Sequence, residues 1–477
     1  MRSSHRALVL GLAAALAAPA PALHAQPPAT CGETADSLVA FISRNYVALR
    51  MDTTAGGPAA ALRRTPLPAA GRRLGALPCY LALREWVEGF RDGHLFLLES
   101  TRMDSAETAR RAASVRRLAV DEAGLRRRLA VPGARDPIEG IWYDRGLRVA
   151  VVPDPAGPRG ALVAVVLDAD TAGWRPGAVR ARFTVRTDGS YDAALAERNH
   201  AERHFVARLH RGVLLRMPPH MWGREVPTPR GELLDTLDPR RPTLRSEGRA
   251  VILAMPSFDP ERAGPLPRLL RAWHDRILAA DPFVIDLRGN EGGSSLAARP
   301  LLAYVQAEPE RPATYPDWQP MVLASADHVA WLRSQLPADG AGPPWVTRLL
   351  ARMEAAPDEV VPYMLPEELP ARWRPRTTHA GPARVVVVVD DGVMSAGESF
   401  VLEAVRSPRV VLTGEPTAGV HDFQNTRVVA VGRGEYRFLL GYPTLAGHPR
   451  FPHGGINRVG ISPSRLFPVG EGEGWDR

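Results

Sequence analysis

Two stretches of the chain share one pattern, a run of consecutive apolar residues that breaks abruptly into small and polar ones. The first is Phe283-Val-Ile-Asp-Leu-Arg-Gly-Asn-Glu-Gly-Gly293; the second is Val385-Val-Val-Val-Val-Asp-Asp-Gly-Val-Met-Ser-Ala-Gly-Glu-Ser399. Continuous apolar runs of this length predict strands buried on both faces, and the glycine-rich breaks predict tight turns. Around them, from Arg249 onward, the pattern is mixed α/β: a strand over Ala250–Met255, a helix over Leu266–Ala280, a helix from Ser395 to about Val405, and strands at Val410–Leu412, Thr426–Val431 and Tyr436–Leu440.

The rest of the chain is patterned differently. Apolar positions at helical spacing predict helices over Ala35–Tyr46, Cys79–Phe90 and about Ser105–Leu129, with a Gly/Pro/Ala-rich loop over Thr53–Gly75. Short apolar runs at 138–143, 147–152, 161–167 and 179–185, punctuated by Pro, Gly and Asp, predict a β-rich module. Residues 307–380 are proline-rich, carry Trp318, Trp331, Trp345 and Trp373, and form a candidate flap or cap. The expected organisation is a secretory signal over 1–25, a helical region over 26–133, the β-rich module over 134–245 and an α/β unit over 246–477. A chain of 477 residues with 45% hydrophobic content is long enough for two or three domains.

Composition adds three points. Arg2 and Arg6 precede an alanine-rich apolar run and a Leu23-His-Ala25 cleavage site, the pattern of an export signal; Pro19 and Pro21 break the run short of a membrane span. In an exported chain the two cysteines, Cys31 and Cys79, are expected to form a disulfide worth roughly 3–4 kcal/mol. The net charge is +8, but the arginines are scattered among acidic residues. The longest basic cluster is Arg126–Arg128, and no basic stripe interleaved with aromatics suggests a nucleic-acid partner.

The candidate chemistry lies in the second apolar run. Ser395 stands where a strand gives way to a helix, a placement that exposes a nucleophile beside free backbone N–H groups. Capping of that helix is the plainer role for Ser395, and Glu398 three residues on would complete a capping box. Asp286-Leu-Arg-Gly-Asn-Glu-Gly-Gly293, Ser395-Ala-Gly-Glu398 and Gly414-Glu-Pro-Thr-Ala-Gly419 occur in order. Together they resemble the D-x-R-x-N-x-G-G, S-A-x-E and G-x-x-T-x-G landmarks of the tail-specific (C-terminal-processing) serine peptidases. That resemblance implies a crotonase/ClpP-like ββα core, peptide or protein substrates, and no cofactor or metal. No PDZ-type carboxylate-binding loop is evident in the β-rich module.

The family's common serine–lysine dyad is not available, because the chain contains no lysine; Val420 stands where the lysine would be. Histidine is the usual alternative base. The tricorn-like branch takes its histidine from the N-terminal region after a helix, and Arg91-Asp-Gly-His94 matches that placement, with His421 as the competing candidate. The resemblance implies an oxyanion hole from the N–H groups of Gly289 and Ala396. In that branch a glutamate orients the histidine, but the matching position here is Asn457, and the family aspartate further on is Ser464. The open alternatives are an Asn457-assisted triad, a triad using Asp422, and a catalytically weak or inactive scaffold that binds rather than cuts. An esterase or amidase for small substrates is a third reading. His200 and His204 lack the H-E-x-x-H pattern and are expected to be packed or solvated rather than metal-ligating. The expected location is periplasmic or secreted, without stable membrane insertion.

Overall fold

The computed structural model describes residues 29–51, 57–99, 105–131, 135–144, 147–169, 173–210, 212–217, 220–227, 241–306, 320–337, 342–365, 368, 379–447 and 455–466. The export signal, Trp318 and Trp373 lie outside the described residues.

The N-terminal part is helical. The Cys31–Asn45 helix begins with a capping box, in which Thr30 and Glu33 satisfy each other's backbone N–H groups, and it buries Ala35, Leu38 and Ile42. A disulfide joins its first residue, Cys31, to Cys79 in the Ala76–Glu88 helix, and neither cysteine is exposed. The stretch expected to be loop over 53–75 holds two short helical pieces, Pro58–Leu62 and Ala69–Arg73. After the Ala76–Glu88 helix comes a short strand, β1 (Phe96–Leu98). The single arginine-rich helix expected over 105–129 is instead two, Ser105–Ser114 and Glu122–Ala130. The residues between them run extended beside the next module: Leu118 N–H donates to Gly177 O, Val179 N–H donates to Arg116 O, and Leu118 and Val120 pack on Val163 and Val165. Burying those side chains outweighs the helical bonds given up there.

The β-rich region is a closed antiparallel barrel of eight strands in sequential order: β2 (Gly140–Asp144), β3 (Leu147–Pro153), β4 (Leu162–Ala169), β5 (Val179–Val185), β6 (Tyr191–Ala196), β7 (Glu202–His210), β8 (Leu214–Met217) and β9 (His220–Val226). Trp142, Trp222, Phe183, Tyr191 and Leu195 fill its interior, as expected of a barrel of this size. His200 and His204 do not share a helical face. His200 sits in a turn at φ +58°, packed on Trp174, and His204 lies on β7.

The C-terminal part contains two sheets. The first has six strands in the order β10 (Thr243–Glu247), β11 (Ala250–Ala254), β12 (Phe283–Asp286), β15 (Val385–Val389), β16 (Val410–Gly414) and β19 (Arg465–Leu466). Only β10 is antiparallel to its neighbour. A parallel sheet buried on both faces suits unbroken Val/Ile runs. The Ser295–Val305 and Ala396–Ala404 helices pack against it through Leu301, Leu302, Phe400 and Val401. The helix expected over 266–280 breaks at Trp273 into Leu266–Ala272 and His274–Leu278.

The second sheet is built from β1, β13 (Met321–Leu323), β14 (Val360–Pro362), β17 (Phe423–Val431) and β18 (Phe438–Ala446), with β18 at its centre. It shares a core with the two N-terminal helices through Leu38, Ile42, Leu83, Phe438 and Leu440. Between β13 and β14, the Ala326–Ser334 and Pro344–Ala355 helices pack through Leu332, Leu349 and Met353 against Val322 and Leu445. Over 320–363, where it is described, this stretch is therefore part of this sheet's core, whereas His379 packs on His274 and Tyr304 beside the six-stranded sheet. No helix among the described residues is long and apolar enough to cross a membrane.

Candidate active site

β12 and β15 are parallel neighbours in register from Phe283↔Val385 to Asp286↔Val388, so the two polar breaks leave the sheet at the same edge. Asn290, fully buried, ties them together. Met394 N–H donates to Asn290 O at 3.0 Å, while the Asn290 side chain donates to Met255 O at 2.7 Å and accepts from Gly292 N–H at 2.8 Å. Gly292, at φ +85°, presses against the second break: a Cβ there would lie 2.7 Å from Met394 O and 2.9 Å from Ser395 Cβ. Only glycine tolerates both that backbone and that approach.

Ser395 itself has φ +54° and ψ −117°, a region that non-glycine residues rarely occupy. Strain of this kind persists only where surroundings enforce it. Here the enforcing group is Glu398, fully buried one turn into the helix. Its carboxylate accepts from Thr417 Oγ1 at 2.6 Å, Gly419 N–H at 2.8 Å, Val420 N–H at 2.8 Å and Ser395 N–H at 3.2 Å. Burial raises the Glu398 pKa, and the four donors oppose that rise.

The N-terminal region delivers His94. The Ala76–Glu88 helix is followed by a turn in which Asp92 Oδ1 accepts from His94 N–H at 2.9 Å and Asp92 Oδ2 accepts from Tyr46 OH at 2.7 Å. Val420 packs against the Gly93 backbone. His94 Nε2 comes to 3.0 Å from Ser395 Oγ, across 301 residues of sequence. His94 Nδ1 is buried and has no hydrogen-bond partner among the described residues. Asp92 is a buried carboxyl; burial pushes its pKa up, and the nearby charge of His94 and the bonds from Tyr46 and the His94 N–H pull it down.

The other expected residues are placed differently. Asn457 Oδ1 accepts from His421 N–H at 3.0 Å and Asp422 N–H at 2.9 Å. In return Asp422 accepts from Ile456 N–H at 3.0 Å and Asn457 N–H at 2.8 Å. The pair is a reciprocal clamp between two loops, and the Asn457 oxygen is already committed to two backbone donors rather than to His94. His421 Nε2 lies 3.1 Å from Ser399 Oγ, one helical turn beyond Ser395, and burial pushes its pKa down to about 4. The Gly289 N–H donates to Asp390 Oδ1 at 2.9 Å, so it is not free for an oxyanion. Ala396 is the first residue of its helix, where backbone N–H groups have no intrahelical acceptor. Asp92 is not among the expected site residues. Its signal was its place two residues before the histidine, where a carboxylate commonly closes a turn.

Residues 250–463 match the model of peptidase family S41. No curated protein sequence matches the chain. Among solved structures, mature CPAF complexed with lactacystin is 12% identical, covering 91% of this chain and 94% of that one at a TM-score of 0.46. The photosystem II D1 C-terminal processing protease is 16% identical, covering 92% and 93% at 0.38. The tricorn protease is 12% identical, covering 83% of this chain and 30% of that one at 0.31. Likeness at these levels does not bear on the chemistry. The family match spans both strand breaks and Ser395, and over residues 250–463 the chain is similar to the serine-type peptidases of family S41.

Proposed function

We propose that the protein is an exported serine peptidase of the tail-specific kind, resembling the tricorn-like branch in using a histidine in place of the lysine. The observation that carries this reading is the 3.0 Å approach of His94 Nε2 to Ser395 Oγ, with Ser395 held at φ +54° at a helix N-terminus. The parallel sheet and its packed helices are compatible with a crotonase-like core. The alanine-rich N-terminus and the buried Cys31–Cys79 disulfide favour export to the periplasm or beyond.

In the proposed reaction His94 Nε2 takes the proton of Ser395 Oγ as Oγ attacks the carbonyl carbon of a peptide. The Ala396 N–H and the positive end of its helix stabilise the oxyanion. Collapse expels the amine, which receives the proton from His94. Water, deprotonated by the same imidazole, then releases the acyl group and restores Ser395. Asp92 serves in place of the expected Asn457: it holds the His94 backbone and offers a carboxyl near the ring as the imidazole gains charge.

Labelling the mature protein with a fluorophosphonate tests this reading. Loss of labelling in both Ser395→Ala and His94→Ala is expected. Loss in Ser395→Ala alone would move the base, with His421 the next candidate. An unlabelled, well-folded parent would favour a binding protein on a peptidase scaffold.

A further inference from the structure

One charged side chain of the barrel reaches into the peptidase domain. Arg216, on β8, has a side chain only 3% exposed. Its Nη1 donates to Asp391 Oδ1 at 3.0 Å and its Nη2 donates to Asp391 O at 3.3 Å. Arg208, on the neighbouring β7, comes within 3.7 Å of the other Asp391 oxygen. The approach is close: a Cβ at 392 would lie 2.6 Å from Arg216 Cζ and 2.7 Å from Nη1, so the guanidinium would have to move aside for any larger residue. Arg216 Cδ also lies 3.7 Å from where a Cβ of Gly289 would be.

Those two glycines are where the strand breaks are tied to each other. Gly289 N–H and Gly392 N–H both donate to Asp390 Oδ1, each at 2.9 Å, and Val393 N–H returns to Asp390 O at 3.0 Å. Ser395 follows three residues after Gly392. The guanidinium thus closes the outer side of the knot from which the serine turn springs. Burying a guanidinium costs free energy unless geometry and partners repay it. The barrel interior, filled by apolar and aromatic side chains, does not call for it. Nor does the Asp391 side chain, which is half exposed and can be met by water. What the contact adds is a fixed position for the Asp391–Gly392 backbone, through a planar group that grips a carboxylate and a carbonyl together.

We infer that Arg216 is a positioning residue for the serine turn, so that the reactivity of Ser395 depends on the docked barrel. The inference rests on Ser395 being the nucleophile, as proposed above. It gives the barrel a function in catalysis that requires no bound ligand.

The test compares the parent with Arg216→Gln, Arg216→Lys, Asp391→Asn and the Gln/Asn double variant, using full-length mature protein. Arg182→Gln, on an exposed pair of the barrel, is the control expected to match the parent. Two readouts are taken: the second-order rate of fluorophosphonate labelling, and amide hydrogen exchange across 390–397. In Arg216→Gln labelling is expected to slow roughly tenfold or more, in keeping with the rate cost of a misplaced reacting group. Exchange across 390–397 should accelerate while the barrel's own exchange is preserved. Arg216→Lys should recover part of the rate, and the double variant should be no slower than the slower single one. Parent-like labelling and exchange in Arg216→Gln would overturn the inference. If that variant does not fold, Asp391→Asn, altered at a solvated side chain, decides by the same readouts. A parent that does not label overturns the peptidase reading instead; the exchange comparison then decides the positioning role alone.

Discussion

At the scale of single residues, the proposed site depends on groups whose partners are few and exact in placement. Asp92 is the clearest case, because its carboxyl is shared between the His94 N–H and Tyr46 OH while the ring's own Nδ1 is unpartnered among the described residues. Replacing Asp92 by asparagine keeps the shape and removes the charge. Turnover should fall on the order of ten- to a hundredfold, equal to about 1.4–2.7 kcal/mol of barrier. Parent-like turnover in Asp92→Asn would reduce Asp92 to a turn former. At Gly292 the constraint is steric. In Gly292→Ala the new methyl meets Met394 O and Ser395 Cβ at a backbone angle that disfavours it, so labelling of Ser395 should drop by at least a hundredfold while the far-UV spectrum is retained. Of these two residues, Gly292 was legible beforehand and Asp92 was not. The DLRGNEGG and SAGE spellings pointed to the turn and the serine, and a histidine after a helix pointed to the proposed base. Spacing did not show that the Gly289 N–H bonds to Asp390 or that the Asn457 oxygen bonds to the 421–422 backbone, because a hydrogen-bonding group can be committed to a neighbour distant in sequence.

Between single residues and the whole lie the strand breaks and the loops that brace them. Glu398 joins the first turn of the Ala396–Ala404 helix to the Thr417–Val420 loop through four donors. Glu398→Gln turns one acceptor end into an amide that faces N–H groups. Chemical denaturation should show a loss of about 2–3 kcal/mol, the cost of leaving buried donors unmet, together with slower labelling as the Ser395 backbone relaxes. Unchanged stability would mean the knot is redundant. Unbroken valine runs made the parallel strands easy to foresee, since a strand buried on both faces needs no alternation. The barrel was only half legible. Its first four strands carry strong apolar runs, whereas β6 to β9 mix Arg, His, Glu and Asp into outward positions and read as irregular. The extended stretch between the Ser105–Ser114 and Glu122–Ala130 helices escaped for a related reason: its structure is dictated by the barrel surface beneath it rather than by its own periodicity.

For the molecule as a whole, stability and reactivity share some of the same links. The Cys31–Cys79 bond anchors the helix that leads into His94, closing a sequence separation of 48 residues. Replacing both cysteines by alanine should lower unfolding free energy by about 3–4 kcal/mol, read from denaturant midpoints, with part of the labelling rate lost as the base loses its anchor. Acid should weaken the fold in a defined window. Burial holds His328 and His421 at about 4, below the ordinary histidine value, so both remain neutral in the fold but gain protons on unfolding. Their contribution is complete above about pH 6.5 and is lost as pH falls toward 4. The melting temperature should decline across that interval, and His328→Phe should flatten the decline. The buried parallel strands, the serine turn and the exclusion of a lysine base were readable from residue order, because they follow from local side-chain chemistry and from residue types present or missing. Only the tertiary structure decided that His94 rather than His421 meets Ser395, that Asn457 and Gly289 are occupied elsewhere, and that Arg216 of the barrel grips the serine turn, because each is a contact between segments whose separation along the chain carries no record of their distance in space.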